Sequence, residues 1–125
     1  MQRILIIDDD ESIRRAIRRP LSKAGFSVQV AVNGTEGVSQ FLGGQFDLVI
    51  VDIWMPEKNG LETLTEIRRN TPEAKVIVMS GGERGMAPTS QLKRAKELGA
   101  VATLTKPFPL SDLLQAVHEA TQSRG

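Results

Sequence analysis

Asp8, Asp9 and Asp52 stand where short apolar runs end. Ile4-Leu5-Ile6-Ile7 leads into Asp8-Asp9-Asp10, and Leu48-Val49-Ile50-Val51 leads into Asp52. Uninterrupted runs of branched aliphatic residues read as strands buried on both faces. In open parallel sheets, ligands bind beyond the carboxyl ends of the strands. Carboxylates gathered there repel one another, and a bound cation relieves the repulsion. Two more strand ends carry polar groups suited to the same place. Ser80 follows Val76-Ile77-Val78-Met79, and Lys106 follows Ala100 to Thr105.

The segments between these runs must position them, and they carry helical periodicity. Ile13, Ala16, Ile17, Leu21 and Ala24 fall on one face. Arg14, Arg15, Arg18 and Arg19 occupy much of the remainder and read as a solvated face. Pro20 is expected to interrupt and kink this helix, and Gly25 to stop it. Phe26 to Val32 reads as the second strand. Asn33-Gly34 then turns into a short helix with Val38, Phe41 and Leu42, weakened by Gly37 and ended by Gly43-Gly44.

Asp47 precedes the third strand and reads as structural. Met55-Pro56-Glu57-Lys58-Asn59-Gly60 is a loop before a helix with Leu61, Leu64 and Ile67 inward, broken at Asn70-Thr71-Pro72. After Ser80 comes a glycine-rich loop, Gly81 to Pro88, then a helix through Leu92, Ala95 and Leu98 stopped by Gly99. Lys106-Pro107-Phe108-Pro109 turns into a last helix with Leu110, Leu113, Leu114 and Val117. Five strands, each followed by a helix, imply a parallel sheet with right-handed crossovers and helices on both faces. The expected fold is α/β, a flavodoxin-like doubly wound sheet in the order 2-1-3-4-5. That order sets the first and third strands side by side, so Asp8, Asp9 and Asp52 converge.

Composition narrows the chemistry. The chain has 125 residues, which suits one domain. A formal charge of +1 gives no bulk attraction to nucleic acid or membrane. Cysteine is absent, which removes disulfides, thiol catalysis and thiolate metal sites and fits a reducing cytosol. The first apolar run is too short for a signal-peptide core, and no stretch is long enough to span a bilayer. A cytoplasmic protein is expected.

Taken in order, these residues resemble the receiver domains of two-component response regulators, over essentially the whole chain. The resemblance rests on Ile6-Ile7-Asp8-Asp9, on Asp47-Leu48-Val49-Ile50-Val51-Asp52 followed by Met55-Pro56 and Asn59-Gly60, on Ser80, and on Lys106-Pro107-Phe108. It implies that Asp52 accepts a phosphoryl group. It implies that Asp8, Asp9, Asp52 and the Trp54 backbone carbonyl hold Mg²⁺ or Mn²⁺. It assigns Lys106 as a charge for one phosphoryl oxygen and Ser80 as a donor to another, and it implies a cis Lys106-Pro107 bond. The chemistry agrees. A carboxylate is a competent nucleophile toward phosphorus, and hard ions take oxygen ligands.

The resemblance further implies a stand-alone receiver over residues 1–125, phosphorylated by a histidine kinase or a histidine phosphotransfer protein. It would act on a downstream protein that the sequence does not name, without direct nucleic-acid binding or membrane insertion. It would catalyse its own phosphorylation and dephosphorylation, in signalling rather than metabolic turnover. One rival is a receiver-like interaction module that is never phosphorylated; the full set of acids, Ser80 and Lys106 argues against it. A second is a phosphatase with an Asp nucleophile, which would place a second Asp at position 54, where Trp54 stands. A third, flavin binding, is opposed by the anionic loop after the first strand.

Several residues have blander readings. Asp10 and Glu11 read as caps of the first helix. His118 reads as a bystander, and Phe41 and Phe108 as core. The chain also departs from the family. Thr103 stands where an aromatic usually swings inward on activation, which puts that switch in doubt. The loop from Gly81 to Pro88 is longer than usual, and it is expected to report phosphorylation instead. Trp54 has two open readings: a shield against hydrolytic water beside the acyl phosphate, or a surface aromatic.

Overall fold

The computed structural model describes residues 2–81 and 88–122. The expectation about the loop after Ser80 therefore lies outside the described residues. Strands and helices alternate along the chain: β1 Arg3–Ile7, α1 Glu11–Lys23, β2 Ser27–Ala31, α2 Gly34–Leu42, β3 Leu48–Asp52, α3 Gly60–Asn70, β4 Val76–Ser80, α4 Pro88–Glu97, β5 Ala102–Thr105 and α5 Leu110–Gln122. The strands form one parallel sheet in the order β2-β1-β3-β4-β5. This is the expected flavodoxin-like topology.

Alternation along each central strand splits the core in two. Leu5, Ile7, Val49, Val51, Val76 and Val78 face α2, α3 and α4, meeting Phe41, Leu64, Ile67 and Leu92. Ile4, Ile6, Leu48, Ile50, Ile77 and Met79 face α1 and α5, meeting Ile17, Leu21, Leu113 and Val117. β3 and β4 are buried throughout, as a sheet covered on both faces requires. Pairing Ile7 with Val51 brings the carboxyl ends of β1 and β3 level.

The edge strands are shorter than expected. β2 runs from Ser27 to Ala31 because the Phe26 amide bonds back to the Leu21 carbonyl, finishing α1. Gly25, at φ +100°, makes the companion bond to Ser22, the pair of bonds that closes a helix through a left-handed glycine. Gly99, at φ +108°, ends α4 likewise, and β5 then starts only at Ala102. At or just before each edge strand a side chain takes one backbone carbonyl. Gln40 Nε2 donates to the Val30 carbonyl at 3.2 Å, and Lys96 Nζ donates to the Val101 carbonyl at 3.3 Å.

Two expectations about the helices need correction. Pro20 does not interrupt α1, which continues to Lys23. It lies in the last turn, so its missing N–H removes one bond, while its own carbonyl still accepts from Ala24. Ala16 and Ala24 are exposed, so the buried stripe of α1 is narrower than the periodicity implies.

Gly37 weakens α2 in isolation but closes its packing on β1. A Cβ there would lie 2.4 Å from Ile7 Cδ1 and 2.7 Å from Ile7 Cγ1, and Ile7 is fully buried. Gly37→Ala is therefore expected to destabilise the fold by about 1–3 kcal/mol through overpacking. That exceeds the roughly 1 kcal/mol that alanine gains over glycine inside a helix. Urea denaturation checks this; a gain in stability would contradict the close packing of α2 on β1.

Candidate functional site

β1 ends one residue before Asp8, and β3 ends on Asp52. Asp8 is fully buried, Asp52 is 3% exposed and Asp9 is exposed. One carboxylate oxygen from each lies within 4.8 Å of the others. Three hard oxygen donors at that spacing, one open to solvent, fit a hard divalent cation. Lys106 enters from the end of β5. Its Nζ sits 2.9 Å from Asp52 Oδ1 and 3.3 Å from Asp8 Oδ2. The Lys106-Pro107 bond is cis, as the resemblance implies.

The turn carrying the acids is fastened at several points. The Asp8 amide donates to the Ala31 carbonyl at 3.2 Å, and Asp8 Oδ1 accepts the Asp10 amide at 2.9 Å. Asp10 caps α1, its Oδ1 accepting from the amides of Ser12 and Ile13, in line with its reading as a cap. Arg14 Nη1 donates to the Asp8 carbonyl at 2.7 Å. Sequence reasoning missed that contact by assigning all four arginines to a solvated face. Half-burial at the flank of the buried stripe sets Arg14 apart from the exposed Arg15, Arg18 and Arg19.

Beyond Asp52 the ladder continues for one bond, from the Ile53 amide to the Met79 carbonyl at 2.9 Å. α3 then packs its first residue onto this segment. A Cβ on Gly60 would meet the Asp52 carbonyl oxygen at 2.2 Å and Ile53 Cα at 2.7 Å, so only glycine lets the helix start there. Asn59 and Glu62 form a reciprocal capping box at that helix start, and Lys58 ion-pairs with Glu66.

Ser80 is fully buried at the end of β4, one residue past Met79, the register partner of Asp52. Its carbonyl accepts the Lys106 amide at 2.9 Å, so Ser80 and the lysine are tied through the backbone. Trp54 is half-buried and packs against the core on the α2–α4 side. Thr103 is half-buried on β5, paired with Val78. His118 is exposed on α5. Asp47 ties two strands together, its Oδ2 accepting the Arg3 amide at 2.7 Å.

The electrostatics follow from burial. Desolvation pushes the Asp8 carboxyl up from its ordinary 3.8; the Asp10 amide and Lys106 pull it back less far, and Asp9 adds to the rise. For Lys106, burial alone would lower the ammonium from 10.5. The hydrogen bond and charge of Asp52, then the charge and hydrogen bond of Asp8, outweigh burial and raise it.

The comparisons with known proteins agree with this geometry. The family model described as "Response regulator receiver domain" matches residues 4–118. The transcriptional regulatory protein DltR of Streptococcus agalactiae is 32% identical over 120 residues, covering 96% of this chain and 52% of that protein. The chain thus spans about half the length of this curated relative. A receiver-domain structure from Clostridium thermocellum superposes with a TM-score of 0.90 at 32% identity, covering 98% of this chain and 95% of that one. The Thermotoga maritima response regulator TrrA, solved in complex with Mg²⁺-BeF, gives a TM-score of 0.85 at 32% identity, covering 96% and 99%. The chain belongs to the response regulator receiver domains of two-component signalling. No described helix is long and apolar enough to cross a membrane.

The pH dependence follows in sign. Asp8 binds its proton more tightly folded than unfolded, so its contribution to stability falls as pH rises from 3.8 through the raised folded value. Lys106 acts far from neutrality, its stabilisation being present below 10.5 and lost above the raised value. In buffer containing a chelator, Asp8→Asn is expected to flatten the acid-side slope and to raise the melting temperature at neutral pH. Melting curves from acidic to neutral pH check this. A variant with the parental slope, or a lower melting temperature at neutral pH, would contradict it.

Proposed function

We propose that Asp52 accepts a phosphoryl group from a phosphohistidine donor, a histidine kinase or a histidine phosphotransfer protein, and later loses it to water. The observation that carries this reading is the meeting of Asp8, Asp9 and Asp52 within 4.8 Å, with the Lys106 ammonium beside two of them. A carboxylate oxygen of Asp52 forms the new bond to phosphorus. The bond from phosphorus to the donor imidazole breaks, and its electron pair stays on the ring nitrogen. Asp8, Asp9, Asp52 and the Trp54 carbonyl would hold Mg²⁺, or Mn²⁺ as the same class of hard ion. Such an ion supplies charge neutralisation for the phosphoryl oxygens.

Lys106 already stands at Asp52 and turns its charge to a phosphoryl oxygen once the acceptor is phosphorylated. Ser80, at the neighbouring strand end, donates its hydroxyl to another. Phosphorylation then shifts the domain between two conformational populations that a downstream protein distinguishes. Thr103 has no ring to swing inward, so that shift must travel by another route than the family's usual aromatic.

Intact mass after treatment with acetyl phosphate and Mg²⁺ tests the acceptor. The parent chain is expected to gain one phosphoryl mass and Asp52→Ala none; retention of the added mass in Asp52→Ala would place the acceptor elsewhere. Trp54 follows Asp52 by two residues and packs on the core; in this reading its ring keeps water from the acyl phosphate. Trp54→Asn is therefore expected to lose its phosphoryl group faster than the parent. Equal decay rates, followed by phosphate release, would leave Trp54 with a packing role alone.

A further inference from the structure

We propose that Arg14 is a positioning residue that sets the geometry of the paired acids Asp8 and Asp9 through the peptide between them. The inference rests on the reading of both as cation ligands and goes beyond it. Arg14 lies in the first turns of α1, its amide bonded to the Asp10 carbonyl at 3.1 Å. Its half-buried side chain folds back past the capping residue, and Nη1 reaches the Asp8 carbonyl at 2.7 Å. That length suits a charge-assisted bond, about twice as strong as a neutral one.

The Asp8 carbonyl and the Asp9 amide belong to one planar unit. Fixing the carbonyl therefore fixes the direction in which the chain enters Asp9. The other restraints on the turn act on either side of that plane. The Ala31 carbonyl holds the Asp8 amide, the Asp10 amide holds Asp8 Oδ1, and the Asp10 carboxylate caps α1. The Asp8 side chain is further held by Lys106. Asp9 is different. It is exposed, and its carboxylate accepts no hydrogen bond among the described residues. Its placement within 4.8 Å of the other two acids depends on the backbone beneath it, and Arg14 is the side chain that grips that backbone.

Charge alone does not account for the role. Arg15 carries the same charge one residue later, is exposed, and pairs with Glu11 at 3.3 Å. The two arginines thus form an internal control: equal charge, with one touching the acid turn and the other not.

The test is a Mg²⁺ titration of the whole chain, read by the fluorescence of Trp54, the single tryptophan, beside the melting temperature in chelator. Arg14→Gln is expected to weaken Mg²⁺ binding about tenfold, as loss of a group that orients metal ligands commonly does. Arg15→Gln is expected to stay within about twofold of the parent, the ordinary effect of one exposed charge. Arg14→Lys, which keeps the charge and a donor, is expected to recover most of the affinity. Should Arg14→Gln not fold, Arg14→Met retains the aliphatic stem and reads the same difference. An unchanged Mg²⁺ affinity in the Arg14 variant overturns the proposal, as does an equal loss in the Arg14 and Arg15 variants. A lower melting temperature without a change in affinity also overturns it, because that is what a merely structural arginine would give. Absence of Mg²⁺ binding in the parent chain would instead overturn the cation reading itself.

Discussion

An ammonium wedged between two buried carboxylates governs the carboxyl edge of this sheet. Removing a charge from water costs several kcal/mol, and Asp8 and Asp52 are both almost wholly removed from it. Lys106 offsets part of that penalty by sitting within 3.3 Å of both. With Asp9 counted, three carboxylates face one ammonium, so the ionised cluster keeps a net charge of −2. A divalent cation would cancel that remainder, and the phosphoryl group proposed for Asp52 would add negative charge for Lys106 and the cation to share. Burial sets the direction in which Asp8 is shifted, and the charge of Asp9 only adds to it.

The remainder of the fold keeps those charges from drifting apart. The register of β1 against β3 levels two of the acids, and the Ser80–Lys106 backbone bond levels the lysine with them. α3 begins against the Asp52 carbonyl because Gly60 has no side chain, so the segment carrying Ile53 and Trp54 has a helix seated directly on it. The acid turn between β1 and α1 is held by backbone bonds, a capping aspartate and an arginine rather than by apolar packing. That leaves the surface open, as the proposed cation and phosphoryl donor require.

Much of this was legible in the sequence where one physical signal dominated. β1, β3 and β4 are buried on both faces, and unbroken aliphatic runs announce such strands. β2 and β5 lie at the edges, where half-exposed residues blur the pattern and helix caps claim the first residues. The acids and Lys106 were readable through their shared position at strand ends, whereas Ser80 gained meaning only from company. Arg14 was not readable because periodicity locates a Cβ but not the far end of a long side chain. Gly37 is legible only as a weak point of α2, since its packing reason lies in Ile7 on a strand thirty residues earlier in the chain. Pro20 was overweighted because a proline near a helix end disturbs little.

The way the two outer strands are finished bears on how such domains coexist at high concentration. A bare rim of carbonyls and amides is a template onto which another chain can add a strand. Here an amide side chain from α2 and a lysine from α4 already occupy acceptors at opposite rims. An incoming strand would have to displace Gln40 or Lys96 before it could pair at those acceptors. Gln40 and Lys96 thereby raise the cost of sheet extension between copies at those two acceptors.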